Sequence, residues 1–381
     1  MKLFDVYPLF PIEPVRAQGA YLYDKHGTEY LDFYGGHAVI SVGHSHPHYV
    51  KRIKNQLDNI AFYSNSVVNS TQTELATKLG ELSSYQDYQL FLCSSGAEAV
   101  ENALKMASFQ TCKSKIIAFE KAFHGRTSGA LQVTDSSKIK SAFNGSITTE
   151  YLPLNDLEPV EKSLENGDVA GIIIEGIQGV AGIIEPSVEF LKGLRDLADK
   201  YGVVLILDEV QSGFGRTGDF FAHQHAGIKA DLITMAKGMG NGFPIGGILL
   251  SPDFKASFGL LGTTFGGNHL ASVACSSVLE IIQEENLMNN AKKQGDYLTQ
   301  ELSKIDSIKT ITGRGLMLGI VVIGDGKTLR SSLVTKHKIF TGGCANPNIL
   351  RLLPPMNITC LLYTSDAADE GLGVDLGGRR I

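Results

Sequence analysis

Six short, mainly apolar runs recur through the middle of the chain, at 88–92, 115–119, 169–174, 203–207, 231–235 and 246–250. They show little apolar–polar alternation, the pattern of strands buried on both faces. Helical spacing appears between some of them. In 189–201 the residues Phe190, Leu191, Leu194, Leu197 and Ala198 share one stripe, and Gly202 follows as the expected left-handed stop. Strand, helix and strand in succession predict an α/β fold with a mainly parallel sheet covered on both sides.

Before about residue 50 and after about 285 the pattern changes to short strands and polar helices, such as a helix over 286–304 and a strand over 308–311. This predicts a large domain over 50–285 and a smaller α+β domain built from 1–49 together with 286–359. Residues 360–381 continue no surrounding pattern. They resemble a translated sequencing-adapter read-through and are set aside as a non-native tail.

Of the 381 residues 43% are hydrophobic, enough for a large core. With 34 basic and 40 acidic residues and no dense basic run, neither nucleic acid nor an anionic membrane is an expected partner. Asp5, Pro8, Pro11 and Glu13 interrupt the N-terminus where a signal peptide needs an unbroken apolar stretch, and no run reaches the ~20 apolar residues of a span, so a cytoplasmic protein is expected. The five cysteines form no C-x-x-C pair and read as free thiols. Two histidine groups, His44-Ser45-His46-Pro47-His48 and His223-Gln224-His225, lack the geometry of a metal site: Pro47 breaks helical spacing in the first, and extended backbone would send alternate side chains apart in the second.

Three segments carry candidate chemistry. At 92–99 a strand end runs into Ser94, Ser95, Gly96 and Ala97, which open a helix with Val100, Ala103, Leu104 and Ala107 on one face. Free N–H groups and the helix dipole suit a phosphate there, although a plain N-cap explains the same residues equally well. At 203–211 an apolar strand ends in Asp208, where open α/β sheets bind ligands and where a buried carboxylate needs a cationic partner. A Walker aspartate fails because Val321 stands where the first glycine before Gly326-Lys327-Thr328 belongs, and Gly313-Arg314-Gly315 lacks the third glycine of a dinucleotide fingerprint. At 231–240 a lone lysine, Lys237, follows a buried strand, where desolvation lowers an amine's pKa and makes it a nucleophile; a salt-bridged structural lysine is the alternative.

An anion cradle, a carboxylate and a buried lysine, in that chain order, are what pyridoxal 5'-phosphate requires. The chain resembles the class III aminotransferases of the fold-type I pyridoxal-phosphate enzymes, of the acetylornithine and succinylornithine kind. The likeness runs through SSGAEAVE at 94–101, FHGRT at 123–127, ILDEVQSGFGRTG at 206–218, AKGMGNGFP at 236–244, TTFGGNHLA at 263–271 and LRLLPP at 350–355. The resemblance implies a seven-stranded sheet and a homodimer with its active site at the subunit interface. It also implies transfer of the terminal amino group of N-acetylornithine or N-succinylornithine to 2-oxoglutarate in arginine biosynthesis. The products would be the acylated glutamate semialdehyde and glutamate. An ornithine or other omega-amino acid aminotransferase, or an aminomutase, is the alternative.

By the same resemblance Ser95, Gly96 and Ala97 bind the cofactor phosphate, Phe123 stacks on its ring, and Asp208 pairs with the ring nitrogen. Gln211 lies by the ring hydroxyl, Lys237 holds the aldehyde, and Thr264 reaches the partner subunit's phosphate. Arg126, with Thr263 nearby, takes the substrate carboxylate, Arg351 that of the oxo acid, and His37 faces the substrate. One segment departs from the family: at 175–182 Gly176 stands where proline is usual and Val180 where a second glutamate is usual. That glutamate neutralises the oxo-acid arginine in related enzymes, so its loss leaves Arg351 free and suits an acyl group ending in a carboxylate, as in N-succinylornithine.

Overall fold

The structure, a computed structural model, describes residues 1–144 and 148–359; the expected non-native tail at 360–381 lies outside these residues. The chain opens with strands β1 (Pro14–Gln18), β2 (Tyr21–Asp24) and β3 (Glu29–Asp32). The apolar runs then form β4 (Gln89–Cys93), β5 (Lys115–Phe119), β7 (Val169–Glu175), β8 (Val204–Asp208), β9 (Leu232–Met235) and β10 (Gly246–Leu250). A further strand, β6 (Thr149–Leu152), was not expected: Thr149-Glu150-Tyr151-Leu152 is half polar and lies at the sheet edge, where one face needs no apolar residues. These seven form one sheet in the order β4-β10-β9-β8-β7-β5-β6.

The strands from β9 to β6 pair in parallel, whereas β10 runs antiparallel to both β9 and β4. It follows that β4, β5, β7, β8 and β9 all point their carboxyl ends at one edge. The two faces of the sheet feed different cores. Ile172, Ile174, Leu205, Leu207 and Ile233 pack with Phe190, Leu191 and Leu194 of the helix Val188–Tyr201, which Gly202 terminates at φ 62° as expected. Ile173, Ile206, Leu232 and Ile248 face Val100, Ala103, Leu104 and Ala107 of the helix Gly96–Thr111. Full burial of each such side chain contributes roughly 1.5–3 kcal/mol, which is why these runs carry no polar alternation.

The rest of the chain adds β11 (Ile308–Arg314), β12 (Met317–Val322), β13 (Ile339–Phe340) and β14 (Ile349–Leu352). The sheet β1-β2-β3-β13 joins the first strands to a late one, and β11-β12-β14 forms a third sheet. The polar helix expected over 286–304 runs over Leu287–Leu302.

Arg216 ties the three sheets' neighbourhoods together. Its side chain is fully buried, and it donates to the carbonyls of Leu316 at 3.1 Å, Pro354 at 2.7 Å and Ile40 at 3.4 Å. The Leu316 N–H in turn donates to the Arg216 carbonyl at 2.9 Å. Burial pushes the guanidinium pKa down to about 10, partly offset by Asp32, so it stays cationic at neutral pH. Arg216→Leu strands two buried acceptors, at a cost of about 1–3 kcal/mol each, and a part-buried one at Ile40. Urea denaturation is expected to show a loss of about 3 kcal/mol or more.

Candidate active site

The parallel strands deliver their last residues to one edge, where a cavity of about 320 Å³ is lined by Ser95, Gly96, Ala97, Phe123, Asp208, Gln211 and Lys237. At the end of β4 the backbone turns into the helix Gly96–Thr111. Ser95 Oγ accepts from the Glu98 N–H at 3.2 Å, and Glu98 Oε2 accepts from the Ser94 N–H at 2.6 Å, a reciprocal cap that fixes the turn. The first-turn N–H groups of Gly96 and Ala97 have no carbonyl one turn back in the helix and line the cavity instead. A Cβ on Gly96 would stand 2.8 Å from Val210 Cγ1, so glycine alone fits.

Asp208 ends β8 almost fully buried. Its Oδ2 pairs with His124 Nδ1 at 2.6 Å, and its Oδ1 accepts from the Val210 N–H at 3.0 Å and the Thr234 hydroxyl at 3.1 Å. His124 Nε2, also buried, has no hydrogen-bond partner. In the paired register beside Asp208 stands Glu175, which accepts from the N–H groups of Phe123 and Gly179, each at 3.0 Å. Burial pushes the Glu175 carboxyl upward, against the pull of His124.

Lys237 follows β9 in the left-handed backbone region at φ 49°. Burial lowers its pKa from the ordinary lysine value. Asp208 and Glu175 oppose that shift, and Arg351 adds to it. A desolvated amine thus shares one cavity with two carboxylates and free helix N–H groups.

Other expected site residues lie elsewhere. Arg351 is outside the cavity lining but adjoins it, donating from Nη1 to Gln211 Oε1 at 3.3 Å. Arg126 is exposed, with no hydrogen bond or ion pair among the described residues. Thr264 is exposed, and Thr263 caps the Gly266 N–H at 3.0 Å; neither lines this cavity. Gln211 bridges Arg351 and the His37 carbonyl, the latter at 3.3 Å. Sequence reasoning missed His124, Glu175 and Tyr34 as site residues. The first two had a signal, one beside Phe123 and the other at the end of an apolar run; Tyr34 had none.

The histidines of the first group turn to different carboxylates: His44 to Asp32 at 2.8 Å, His46 to Glu285 at 2.8 Å and His48 to Glu280 at 2.6 Å. His223 is buried between Glu209 at 2.7 Å and the Tyr85 hydroxyl at 2.7 Å.

The sequence matches the family described as "Aminotransferase class-III" over residues 5–371. It is 39% identical over 364 residues to the acetylornithine aminotransferase of Bacillus subtilis (strain 168), covering 94% of each chain. It is 41% identical over 347 residues to that of Archaeoglobus fulgidus, covering 90% of each. Among solved structures it resembles the ornithine aminotransferase of Toxoplasma gondii ME49, with a TM-score of 0.86 and 27% identity over 93% of this chain and 88% of that one. An S-selective transaminase from Arthrobacter sp. superposes with a TM-score of 0.85 and 26% identity over 94% of this chain and 92% of that one. Strand order, cavity and sequence agree, and the chain belongs to the class III aminotransferases, a family of pyridoxal-phosphate-dependent enzymes.

Proposed function

We propose that the enzyme moves the terminal amino group of N-acetylornithine to 2-oxoglutarate, giving the acylated glutamate semialdehyde and glutamate. Support comes from relatives named acetylornithine aminotransferase that match nearly the whole chain. The observation that carries the chemistry is the buried Lys237 amine facing Asp208 and Glu175 in one cavity.

The residues present fit pyridoxal phosphate. The N–H groups of Gly96 and Ala97, beside the Ser95 cap, offer an anion cradle, and Phe123 offers a ring to stack on. Asp208 offers a carboxylate to a protonated ring nitrogen, fixed in orientation by His124 and Thr234. When bound, the cofactor supplies an aldehyde that joins reversibly to an amine and an aromatic ring that takes up the electrons of a broken C–H bond. Lys237 Nζ would hold the group through its aldehyde and, once released by the substrate amine, would be the base and acid that moves a proton within the cavity. Gln211 steadies the wall between the cavity and Arg351, and Arg351 takes a carboxylate of the oxo acid.

Thr263 and Thr264 lie outside their own subunit's cavity, beside the exposed Phe265. This supports a homodimer in which Thr264 serves the partner's phosphate, with Arg126 and Thr263 taking the substrate carboxylate near that interface. Residues 50–285 then act as the cofactor-binding domain, and 1–49 with 286–359 as the smaller one. The enzyme works in the cytoplasm, in arginine biosynthesis.

Lys237→Ala should lower kcat by about 10⁴-fold or more, and borohydride should fix pyridoxal phosphate to the wild-type chain but not to this variant. The Lys237 pKa is depressed, so the amine is neutral above that lowered value and gains a proton as pH falls through it. Capture of added pyridoxal phosphate by the cofactor-free chain, which needs the neutral amine, is expected to speed up as pH rises through that lowered value, read from absorbance across pH.

A second reading rests on Arg351, which meets no carboxylate among the described residues while Val180 lines the cavity. A donor whose acyl group ends in a carboxylate, N-succinylornithine, would supply the missing charge. Comparing kcat/KM for the two donors decides between them: a strong preference for the acetyl substrate excludes the second reading.

A further inference from the structure

Arg351 is a buried cation whose hydrogen bonds all go to neutral groups: Nε to the Gly343 carbonyl at 2.8 Å, Nη1 to Gln211 Oε1 at 3.3 Å and Nη2 to the Tyr34 hydroxyl at 3.2 Å. The partners are joined to one another. The Tyr34 hydroxyl hydrogen-bonds His37 Nδ1, and Gln211 Nε2 donates to the His37 carbonyl at 3.3 Å. Gln211, Arg351, Tyr34 and His37 thus close a ring of hydrogen bonds beside the cavity.

The backbone is shaped to build this ring. Gly35, Gly36, His37 and Ala38 all have positive φ, at 54°, 55°, 71° and 65°, a left-handed turn that His37 and Ala38 adopt only at a conformational cost. That turn presents both the His37 imidazole and its carbonyl to the ring. Two glycines make room: a Cβ on Gly342 would stand 2.2 Å from the Tyr34 ring, and one on Gly179 would stand 1.8 Å from Gln211 Oε1. Ala38 of the same turn packs into the core beside Met317 and Leu353, so the turn anchors the ring to the core at a backbone cost that the surrounding packing sustains.

The direction of the proton in the ring follows from the charges around it. His37 keeps one side open to solvent, but desolvation on its inner side lowers its pKa, and the facing cations Arg351, Lys237 and Arg330 lower it further, so the imidazole is neutral. Tyr34 faces Arg351 and Arg330 as well as Asp32, and burial raises its pKa, so it keeps its proton. Tyr34 therefore donates to His37 Nδ1 and accepts from Arg351, and no member of the ring offsets the guanidinium's charge.

We propose that this ring is a neutral cradle that fixes Arg351 in place while leaving its charge for a substrate carboxylate, with Tyr34 and His37 as positioning residues that set the affinity for the dicarboxylic oxo acid. The inference rests on the transamination reading above. In the holoenzyme, assayed with N-acetylornithine and 2-oxoglutarate, Tyr34→Phe is expected to raise KM for 2-oxoglutarate about tenfold, with KM for N-acetylornithine moving less than about twofold. His37→Gln, whose side-chain oxygen still accepts the Tyr34 proton, is expected to retain near wild-type KM values, and His37→Ala to behave as Tyr34→Phe. Equal rises in both KM values, or none, would overturn the cradle. Independently of turnover, histidine-ring NMR of the wild-type chain should show His37 neutral at pH 7 with Nδ1 unprotonated. A cationic His37 ring at that pH would refute the proton assignment. A wild-type enzyme that transferred no amino group would count against the function alone, because the NMR result still decides the cradle.

Discussion

A lysine amine with its charge destabilised by burial, set against two carboxylates at the end of a parallel sheet, is the constraint around which the remainder is arranged. Lys237, Asp208 and Glu175 each end or follow a fully buried strand, so the packing that stabilises the sheet also removes water from all three. The energetic tension is local. Desolvation favours the neutral amine and the neutral acid, whereas the mutual attraction of the groups favours ions. Asp208 resolves its part through donors on three sides, His124, Val210 and Thr234, and Glu175 through two backbone N–H groups.

Much of this was legible in the chain. Six strands showed themselves because a strand covered on both faces has no room for polar alternation, and their boundaries held to within a residue or so. The edge strand Thr149–Leu152 escaped because its outer positions are polar. Lys237 and Asp208 were visible because a charge directly after an apolar run is conspicuous. Tyr34 was not visible, and His37 entered only through the family resemblance, as a residue facing the substrate rather than as Tyr34's partner. Their part depends on a left-handed turn and on Arg351, 317 positions along from Tyr34, and no local periodicity encodes a pairing at that separation.

Resemblance supplied what pattern could not, with mixed geometry. Ser95, Gly96, Ala97 and Phe123 come together around the cavity, whereas Arg126 and Thr264 stay exposed and apart from it. Gln211 does more than its expected place beside a ring hydroxyl implied, since its two amide atoms bridge the His37 carbonyl and the Arg351 guanidinium. The replacement of a usual glutamate by Val180 is consistent with a guanidinium that meets only neutral acceptors.

The buried clamp at Arg216 couples these features mechanically. It grips Ile40 just after the left-handed turn, Leu316 in the tight link between β11 and β12, and Pro354 just past Arg351. The groups whose chemistry fits the cofactor within one subunit, Ser95 to Ala97, Phe123, Asp208 and Lys237, all fall within residues 94–245, whereas the ring around the Arg351 guanidinium draws Tyr34, His37 and Arg351 itself from far outside that stretch. Changes in substrate range can accumulate around residues 34–40 and 341–354 without touching the residues that would grip the prosthetic group, a separation of duties that lets one scaffold serve many amines and acids.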